Sequence, residues 1–137
     1  QSALEYNITQ KSLFQAIFRC QHPVATFLGQ HIFVIDKDFV SAKMAELLNA
    51  DCLVILTAVE KVAINFGKPN IRWLDTLSVE DAQRYIVEGQ FAKGSMLPKV
   101  QAAIQFASID KSKTSLITLL EKAKEGIEGK TGTLIRA

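Results

Sequence analysis

The sequence predicts an α/β protein with a mainly parallel sheet, and three observations support this fold class. Segments typical of strands alternate with segments typical of helices along the 137 residues. The run Cys52–Leu56 is continuously apolar, as in a strand that is covered on both faces. Hydrophobic residues make up 48% of the chain, which is sufficient for one domain with a buried core.

The N-terminal quarter of the chain is predicted to contain a helix and two strands. Apolar residues in Ser2–Phe18 recur at near-helical spacing. The helix must end before His22–Pro23, because a residue that precedes proline is disfavoured in the helical conformation. Two apolar segments on either side of Gly29, Val24–Leu28 and Ile32–Ile35, then predict strands.

A second helix and the most apolar strand come next. Asp36 or Asp38 is a suitable N-cap for this helix, and Asn49–Asp51 ends it. Beyond the apolar strand, Val62–Phe66 alternates between apolar and polar residues and predicts another strand, which is followed by a turn at Gly67–Asn70. The apolar positions of the helix are Phe39, Ala42, Met44, Ala45, Leu47 and Leu48.

The remaining sequence predicts three more helices and two more strands. Ser78 and Asp81 form a start similar to a capping box for a helix through Val87, and Gly89 stops that helix. Gly94–Ser95 opens the next helix, since small residues are common at a helix start. The other predicted elements are a helix over Leu97–Phe106, a strand over Ser115–Leu119, a short helix over Glu121–Ile127 and a strand over Thr131–Ile135.

Charge and composition argue against several classes of partner. The chain has 16 basic and 14 acidic residues, a balance that predicts neither a nucleic-acid nor an anionic-membrane partner. No apolar run approaches the ~20 residues that span a bilayer, and Gln1–Gln10 lacks the features of a signal peptide. Cys20 and Cys52 have no metal-ligand spacing, so we interpret both as reduced and expect a cytoplasmic protein.

The first candidate for chemistry is Asp36-Lys37-Asp38, which follows a predicted strand and opens a predicted helix. Ligands of open α/β sheets bind at the carboxyl ends of strands, so two carboxylates and an ammonium group there can organise a phosphate or a metal. The alternative is a solvated capping cluster without a ligand.

The second candidate is Gly94-Ser95-Met96-Leu97-Pro98-Lys99. Small residues at a helix start leave backbone N–H groups available to an anion, and Lys99 lies one turn further on. The alternative is an ordinary surface helix with a solvated lysine.

The other motifs give no evidence of a catalytic or binding site. Gly129-Lys130-Thr131-Gly132-Thr133 is not a P-loop, because Lys124 occupies the position of the required glycine and a strand follows instead of a helix. We interpret His22 and His31 as structural or exposed residues, and Trp73 and Tyr85 as packing residues.

Four segments together resemble carbamate kinase, a member of the amino acid kinase superfamily. They are Ile35–Phe39, Ile55–Pro69, Glu88–Val100 and Lys122–Thr133, and the similarity runs almost without gaps from Ile35 to Ile135. The resemblance is to the C-terminal, nucleotide-binding half of those enzymes, which we assign to residues 35–137. Residues 1–34 weakly resemble the helix and strand that precede the family's lid.

The resemblance implies a three-layer α/β/α sandwich, a homodimer, and Mg²⁺-dependent phosphoryl transfer between ATP and carbamate, or from carbamoyl phosphate to ADP in arginine catabolism. It implies that Asp38 orients the catalytic lysines, that Lys37 lies at the phosphates, and that Lys99 stabilises the transferring phosphoryl group. No metal ligand is assigned. The implied nucleotide-binding residues are Thr57, Ala58, Val59, Lys68, Pro69, Gly94, Ser95 and Met96.

The sequence also departs from the family's pattern. Its Leu-Gly-Gly-Asn-Ala-type loop, its His-Gly-Asn-Gly-Pro segment and its lid do not occur here, and the similarity to the N-terminal part breaks off near Phe33–Ile35. The fold is therefore expected to be incomplete. The alternative to an enzyme is a catalytically inactive nucleotide-binding or dimerisation module.

Overall fold

The computed structural model describes residues 15–17, 24–28 and 31–137, with side chains from residue 36 onward. These residues form nine strands, four α-helices and one 3-10 helix at Leu120–Lys122. The strands are β1 Gln15–Ile17, β2 Val24–Leu28, β3 His31–Ile35, β4 Cys52–Thr57, β5 Val62–Ile64, β6 Arg72–Leu74, β7 Thr76–Ser78, β8 Thr114–Leu119 and β9 Thr133–Arg136. The helices are α1 Lys37–Leu47, α2 Val79–Val87, α3 Met96–Ala107 and α4 Ala123–Ile127.

Five of these strands form the central sheet, in the order β1-β4-β8-β9-β7. All neighbours are parallel except β8 and β9, which are antiparallel. The strands β2–β3 and β5–β6 form two separate antiparallel pairs. The prediction of an α/β fold with a mainly parallel sheet is confirmed.

Helices cover both faces of this sheet. Ser115 of β8 donates its hydroxyl proton to the Ala103 carbonyl oxygen of α3 at 2.9 Å, so its face of the strand looks toward α3. Leu116 and Thr118 point the other way, because side chains alternate along a strand, and both lie against Gly126 of α4. The expected three-layer α/β/α arrangement follows from these contacts.

The core lies between the sheet and the pair formed by α1 and α3. Leu53 of β4 faces this core, whereas Val54 faces the α4 side, and both are almost fully buried, as the continuous apolar run predicted. Small side chains on the facing helix surfaces let α1 and α3 approach each other closely: Ala42, Ala45, Ala102, Ala103 and Ala107. This close packing brings the beginnings of the two helices side by side.

The helix predicted near the N-terminus is wrong in one segment, and the other predictions there fall on residues that the structure does not describe. The helix predicted over Ser2–Phe18 is wrong at Gln15–Ile17, which pair with β4 as a strand. The rest of that segment, together with His22–Pro23 and Cys20, lies outside the described residues. The tertiary pairing of an apolar segment with β4 overrides a weak helical period here.

Helix α1 buries a different face from the one its apolar residues define. Ala42 and Ala45 are buried, but Phe39, Met44, Leu47 and Leu48 are exposed. The other buried positions are polar, Asp38 and Ser41. The N-cap is Asp36, whose Oδ1 accepts the Asp38 amide proton at 2.8 Å.

Several turns and caps agree with the sequence. Ser78 Oγ accepts a hydrogen bond from the Asp81 amide at 3.0 Å. Gly89 has a left-handed φ of 71° and turns the chain away from the end of α2. Strand β5 stops at Ile64, two residues earlier than predicted, because Asn65 adopts a left-handed φ of 55°. The short strands β6 and β7 were not predicted. No helix in the described part of the chain is long and apolar enough to cross a membrane.

Candidate active site

The paired side chains of Asp38 and Lys99 lie where α1 and α3 begin. Lys99 Nζ is 3.2 Å from Asp38 Oδ1 and 3.2 Å from Asp38 Oδ2, so the ammonium group faces the carboxylate symmetrically. The two side chains are only 10% and 13% exposed. Burial of a lone charge is costly, and each of these groups offsets that cost for the other. The sequence placed these residues 61 positions apart, and the fold brings them together.

Asp36 and Lys37 directly precede Asp38 at the start of α1. Lys37 is partly buried and is the first residue of the helix, while Asp36 is exposed as its N-cap. The Lys37 carbonyl oxygen accepts a hydrogen bond from the Ser41 hydroxyl at 2.8 Å. The Lys99 ammonium group therefore lies near the N-termini of both α1 and α3, where the helix dipoles favour an anion.

A cavity of about 200 Å³ lies beside the start of α3. Five of the eight predicted nucleotide-binding residues line it: Thr57, Ala58, Val59, Ser95 and Met96. Ser95 and Met96 stand directly before and at the first position of α3, one turn from Lys99. The same helical turn therefore connects the cavity with the Asp38–Lys99 pair.

The other three predicted nucleotide-binding residues do not line the cavity. Lys68 and Pro69 are exposed in the turn that connects β5 to β6, and Gly94 is exposed ahead of α3. Ser95 precedes α3 without a side-chain capping bond, unlike Ser78 at α2.

Seven lining residues were not predicted from the sequence. They come from the loop after β4, from the β5–β6 pair with its turn and from the connection between α2 and α3: Lys61, Ala63, Phe66, Trp73, Gln90, Phe91 and Ala92. Trp73, interpreted above as a packing residue, is half exposed and meets Phe66 edge-to-face with ring centroids 6.2 Å apart. Their sequence signal is weak because loop residues show no periodicity.

The loop that follows β4 is held in place by a carboxylate. Glu60 accepts a hydrogen bond from the Thr131 hydroxyl and another from Lys122 Nζ at 3.2 Å. These two bonds, the Thr131 bond foremost, hold the pKa of the Glu60 carboxyl below its ordinary value. The neighbours of Glu60 in this loop, Ala58, Val59 and Lys61, line the cavity.

The glycine-rich segment before β9 has a structural role in this arrangement. Gly129 and Gly132 have φ values of 76° and 89°, which L side chains rarely adopt. A Cβ atom at Gly132 would lie 2.8 Å from Leu116 Cδ1. The segment leads into a strand, as predicted, and presents Thr131 to Glu60.

A larger cavity of about 520 Å³ lies against the α4 face of the sheet. Cys52, Leu116, Lys130 and Leu134 are among its lining residues, and none of the predicted site residues is. Burial raises the pKa of the Cys52 thiol, which keeps this group neutral. We therefore assign the candidate site to the smaller cavity and the adjoining ion pair.

The chain is similar to several known proteins. A model of the amino acid kinase family matches residues 12–117. The carbamate kinase-like protein YqeA of Escherichia coli (strain K12) is 68% identical over 102 residues, which are 74% of this chain and 33% of that protein. Carbamate kinase of Clostridium perfringens (strain 13 / Type A) is 49% identical over 102 residues, or 74% of this chain and 32% of that enzyme.

Solved structures agree with these relatives. Carbamate kinase from Giardia lamblia bound to AMP-PNP has a TM-score of 0.73 and 39% sequence identity, and the match covers 82% of this chain and 36% of that one. The chain spans about a third of the length of the curated relatives it matches. The relatives named here are carbamate kinases and a carbamate kinase-like protein. On the matched residues and the shared architecture, this chain belongs to the amino acid kinase family.

Proposed function

We propose that the chain carries the nucleotide-binding half of a carbamate kinase and contributes to reversible phosphoryl transfer between ATP and carbamate. The observation that carries this proposal is the shared first turn of α3, where Ser95 and Met96 line the cavity and Lys99 pairs with Asp38. This turn connects a site for the nucleotide to a fixed positive charge for the phosphates. The relatives named above support the choice of reaction.

Phosphoryl transfer depends mainly on positioning and on neutralisation of negative charge, so a covalent nucleophile is not required. Lys99 supplies the positive charge for the transferring phosphoryl group, and Asp38 holds its Nζ in place. Lys37 supplies a second positive charge at the start of α1. The ion pair is formed without nucleotide, so its charges need little reorganisation when the substrates bind.

The nucleotide is proposed to occupy the cavity beside α3. Thr57, Ala58 and Val59 at the end of β4 provide one wall, and Ser95 with Met96 provides the side nearest to Lys99. Gly94 adjoins that side. Lys68 and Pro69 lie on the exposed turn of the β5–β6 pair, and we propose that they contact the nucleotide from outside the cavity.

Mg²⁺ is proposed to accompany the nucleotide. Within residues 36–137 no group of three His, Cys, Asp or Glu side chains is placed to hold a metal ion. Proteins usually bind Mg²⁺ through one or two carboxylates together with substrate phosphates. The described residues therefore fit a metal that arrives on the phosphates better than a resident metal, and no step above depends on it.

Three further features of the proposal follow from the resemblance. Residues 35–137 are proposed to form the nucleotide-binding half and residues 1–34 the segment that precedes the family's lid. We propose a cytoplasmic homodimer that uses carbamate and carbamoyl phosphate.

The test is ATP formation by the purified chain from ADP and carbamoyl phosphate in the presence of Mg²⁺, measured with luciferase. Activity that falls at least 100-fold in Lys99→Met, with circular dichroism showing that the variant is folded under the assay conditions, supports the proposal, since one electrostatic group is typically worth a factor of about 100 or more. Lys111→Met is the matched control, because Lys111 is exposed and lies beyond the far end of α3. Equal activity in Lys99→Met and Lys111→Met contradicts the proposal.

A second candidate function is nucleotide binding without catalysis. It is favoured by one sequence observation, that the family's two glycine-rich substrate segments do not occur among these residues. Titration with ADP by calorimetry, beside the ATP assay, separates the two functions. Binding of ADP without any formation of ATP supports the second candidate, and binding with turnover supports the first.

A further inference from the structure

One wall of the candidate cavity is built by the β5–β6 pair and its turn. This wall carries Phe66 and Trp73, and its turn carries Lys68. Val62, Ile64 and Leu74 anchor the two strands in the core. Phe66 is 65% exposed and Trp73 is 50% exposed, so burial does little to fix these two side chains or the turn between the strands. This exposed part of the wall needs a contact of its own.

A hydrogen bond from the opposite side of the cavity reaches the wall where β5 ends. Asn65 turns the chain out of β5 with a left-handed φ of 55°. Its backbone N–H donates to Gln90 Oε1 at 2.9 Å. Its carbonyl oxygen accepts the Lys68 amide proton at 3.0 Å, which closes the turn. A single side chain therefore holds the residue from which the turn begins.

Gln90 is itself firmly attached to the core. Its backbone N–H donates to the Tyr85 carbonyl oxygen at 3.0 Å, which closes the end of α2. The next residue, Phe91, is only 5% exposed. Gln90 Nε2 lies 3.4 Å from Glu88 Oε2, so the amide group presents its oxygen to Asn65. The side chain lines the cavity as it crosses to the wall.

We propose that Gln90 is a positioning residue that sets nucleotide affinity by fixing the turn of the β5–β6 wall through the Asn65 amide. This role rests on the nucleotide site proposed above. A wall that is ordered before binding lowers the entropy lost on binding. Without the acceptor oxygen, the Asn65 N–H loses its partner, and the turn with Phe66 must be ordered by the nucleotide. ADP affinity then falls about 3- to 10-fold, as for loss of one hydrogen bond.

The test measures ADP affinity by calorimetry and the emission of Trp73, which is the single tryptophan of the chain. Gln90→Leu removes the acceptor and is expected to weaken ADP binding and to shift Trp73 emission before ADP is added. The double variant Glu88→Gln with Gln90→Glu keeps an acceptor oxygen without placing two carboxylates side by side, and it is expected to restore the parental emission. Gln83→Leu, on the exposed face of α2, is expected to match the parent in both measurements. Gln90→Met replaces the Leu variant if that variant does not fold.

Each outcome bears on the proposal. Parental affinity and parental emission in Gln90→Leu overturn it. Weaker ADP binding with unchanged emission also overturns it, because Gln90 then acts on the nucleotide and not on the wall. Failure of the parent to bind ADP overturns the proposed nucleotide site and this role with it. A parent that binds ADP and a Gln90→Leu variant that binds equally well overturn the role of Gln90 alone.

Discussion

Asp38 and Lys99 form a buried ion pair across helices α1 and α3, with Lys99 Nζ 3.2 Å from both carboxylate oxygens of Asp38. Each residue stands in the first turn of its helix. The pair therefore has two consequences. It fixes one helix start against the other, and it holds a positive charge at the place where both helix dipoles favour an anion.

The first prediction concerns the coupling within this pair. Asp38→Asn leaves the Lys99 charge almost buried without its partner, and we expect the free energy of unfolding to fall by about 3 kcal/mol. Lys99→Met is expected to have a similar effect for the converse reason. The double variant is expected to lose clearly less than the sum of the two single losses, because neither charge is then left alone. Urea unfolding of the four proteins measures this cycle.

An exposed pair on the same helix provides the control. Lys43 Nζ lies 2.8 Å from Glu46 Oε2, but these side chains are 56% and 38% exposed. The corresponding cycle with Lys43→Met and Glu46→Gln is expected to give a coupling below about 0.5 kcal/mol. Equal coupling energies for the two pairs would contradict the structural distinction between them.

The second prediction separates two serines that look alike in the sequence. Ser78 caps α2 through the Asp81 amide at 3.0 Å, whereas Ser95 precedes α3 without a side-chain capping bond. Ser78→Ala is expected to lower the free energy of unfolding by about 1 kcal/mol. Ser95→Ala is expected to change it by less than about 0.5 kcal/mol. Thermal and urea unfolding of both variants check this difference, and a larger loss in Ser95→Ala would contradict it.

The elements predicted best from the sequence are those with a strong local pattern. Strand β4 is buried on both faces at Leu53–Ile55, and its apolar composition alone is enough to predict it. Ser78 and Gly89 bracket α2 by local chemistry alone. In contrast, Gln15–Ile17 is a strand because β4 offers it a parallel edge, and such a non-local partner leaves no mark on a short window of sequence.

The residues of the candidate site also fall into two groups, those that the sequence predicted and those that it did not. Asp38 and Lys99 were predicted as site residues through the resemblance, and the fold places them in contact. Gln90 and Trp73 were missed because the cavity is assembled from connections between elements, where no periodicity identifies the inward side. Three-residue strands such as β6 are too short to show a period, so the wall that they build was not visible in the sequence.

The third prediction concerns the glycine-rich segment. Gly132 combines a φ of 89° with a site where a Cβ would meet Leu116 Cδ1 at 2.8 Å and the Ile117 carbonyl oxygen at 3.0 Å. Gly132→Ala is expected to lower the free energy of unfolding by roughly 2–4 kcal/mol, since backbone strain and steric overlap add. Gly129→Ala is the matched control, because its φ is 76° and no atom lies within 4 Å of the added Cβ. Its expected loss is about 1 kcal/mol, from backbone strain alone. Urea unfolding that gives equal losses would contradict the proposed overlap.

The fourth prediction is a pH dependence of stability that arises from Glu60. Hydrogen bonds from Thr131 and then Lys122 hold its pKa below the ordinary value of an exposed glutamate. Between the folded and unfolded pKa values, the unfolded chain binds more protons, so stability rises with pH in that window. The contribution of Glu60 is therefore fully present above its unfolded pKa and is lost as the pH falls through its folded pKa.

Removal of this carboxylate is expected to remove that part of the pH dependence. The free energy of unfolding of Glu60→Gln is expected to fall below that of the parent at neutral pH and to converge with it in acid. Glu121→Gln, on the exposed 3-10 helix, is expected to follow the parent across the whole range. Urea unfolding from pH 7 down into the acid range measures the three curves.

The loop after β4 lines the cavity, so the ADP affinity of Glu60→Gln is expected to fall at neutral pH, where Glu60 of the parent still accepts hydrogen bonds from Thr131 and Lys122. Parallel curves for the parent and Glu60→Gln would show that these two hydrogen bonds do not hold the loop.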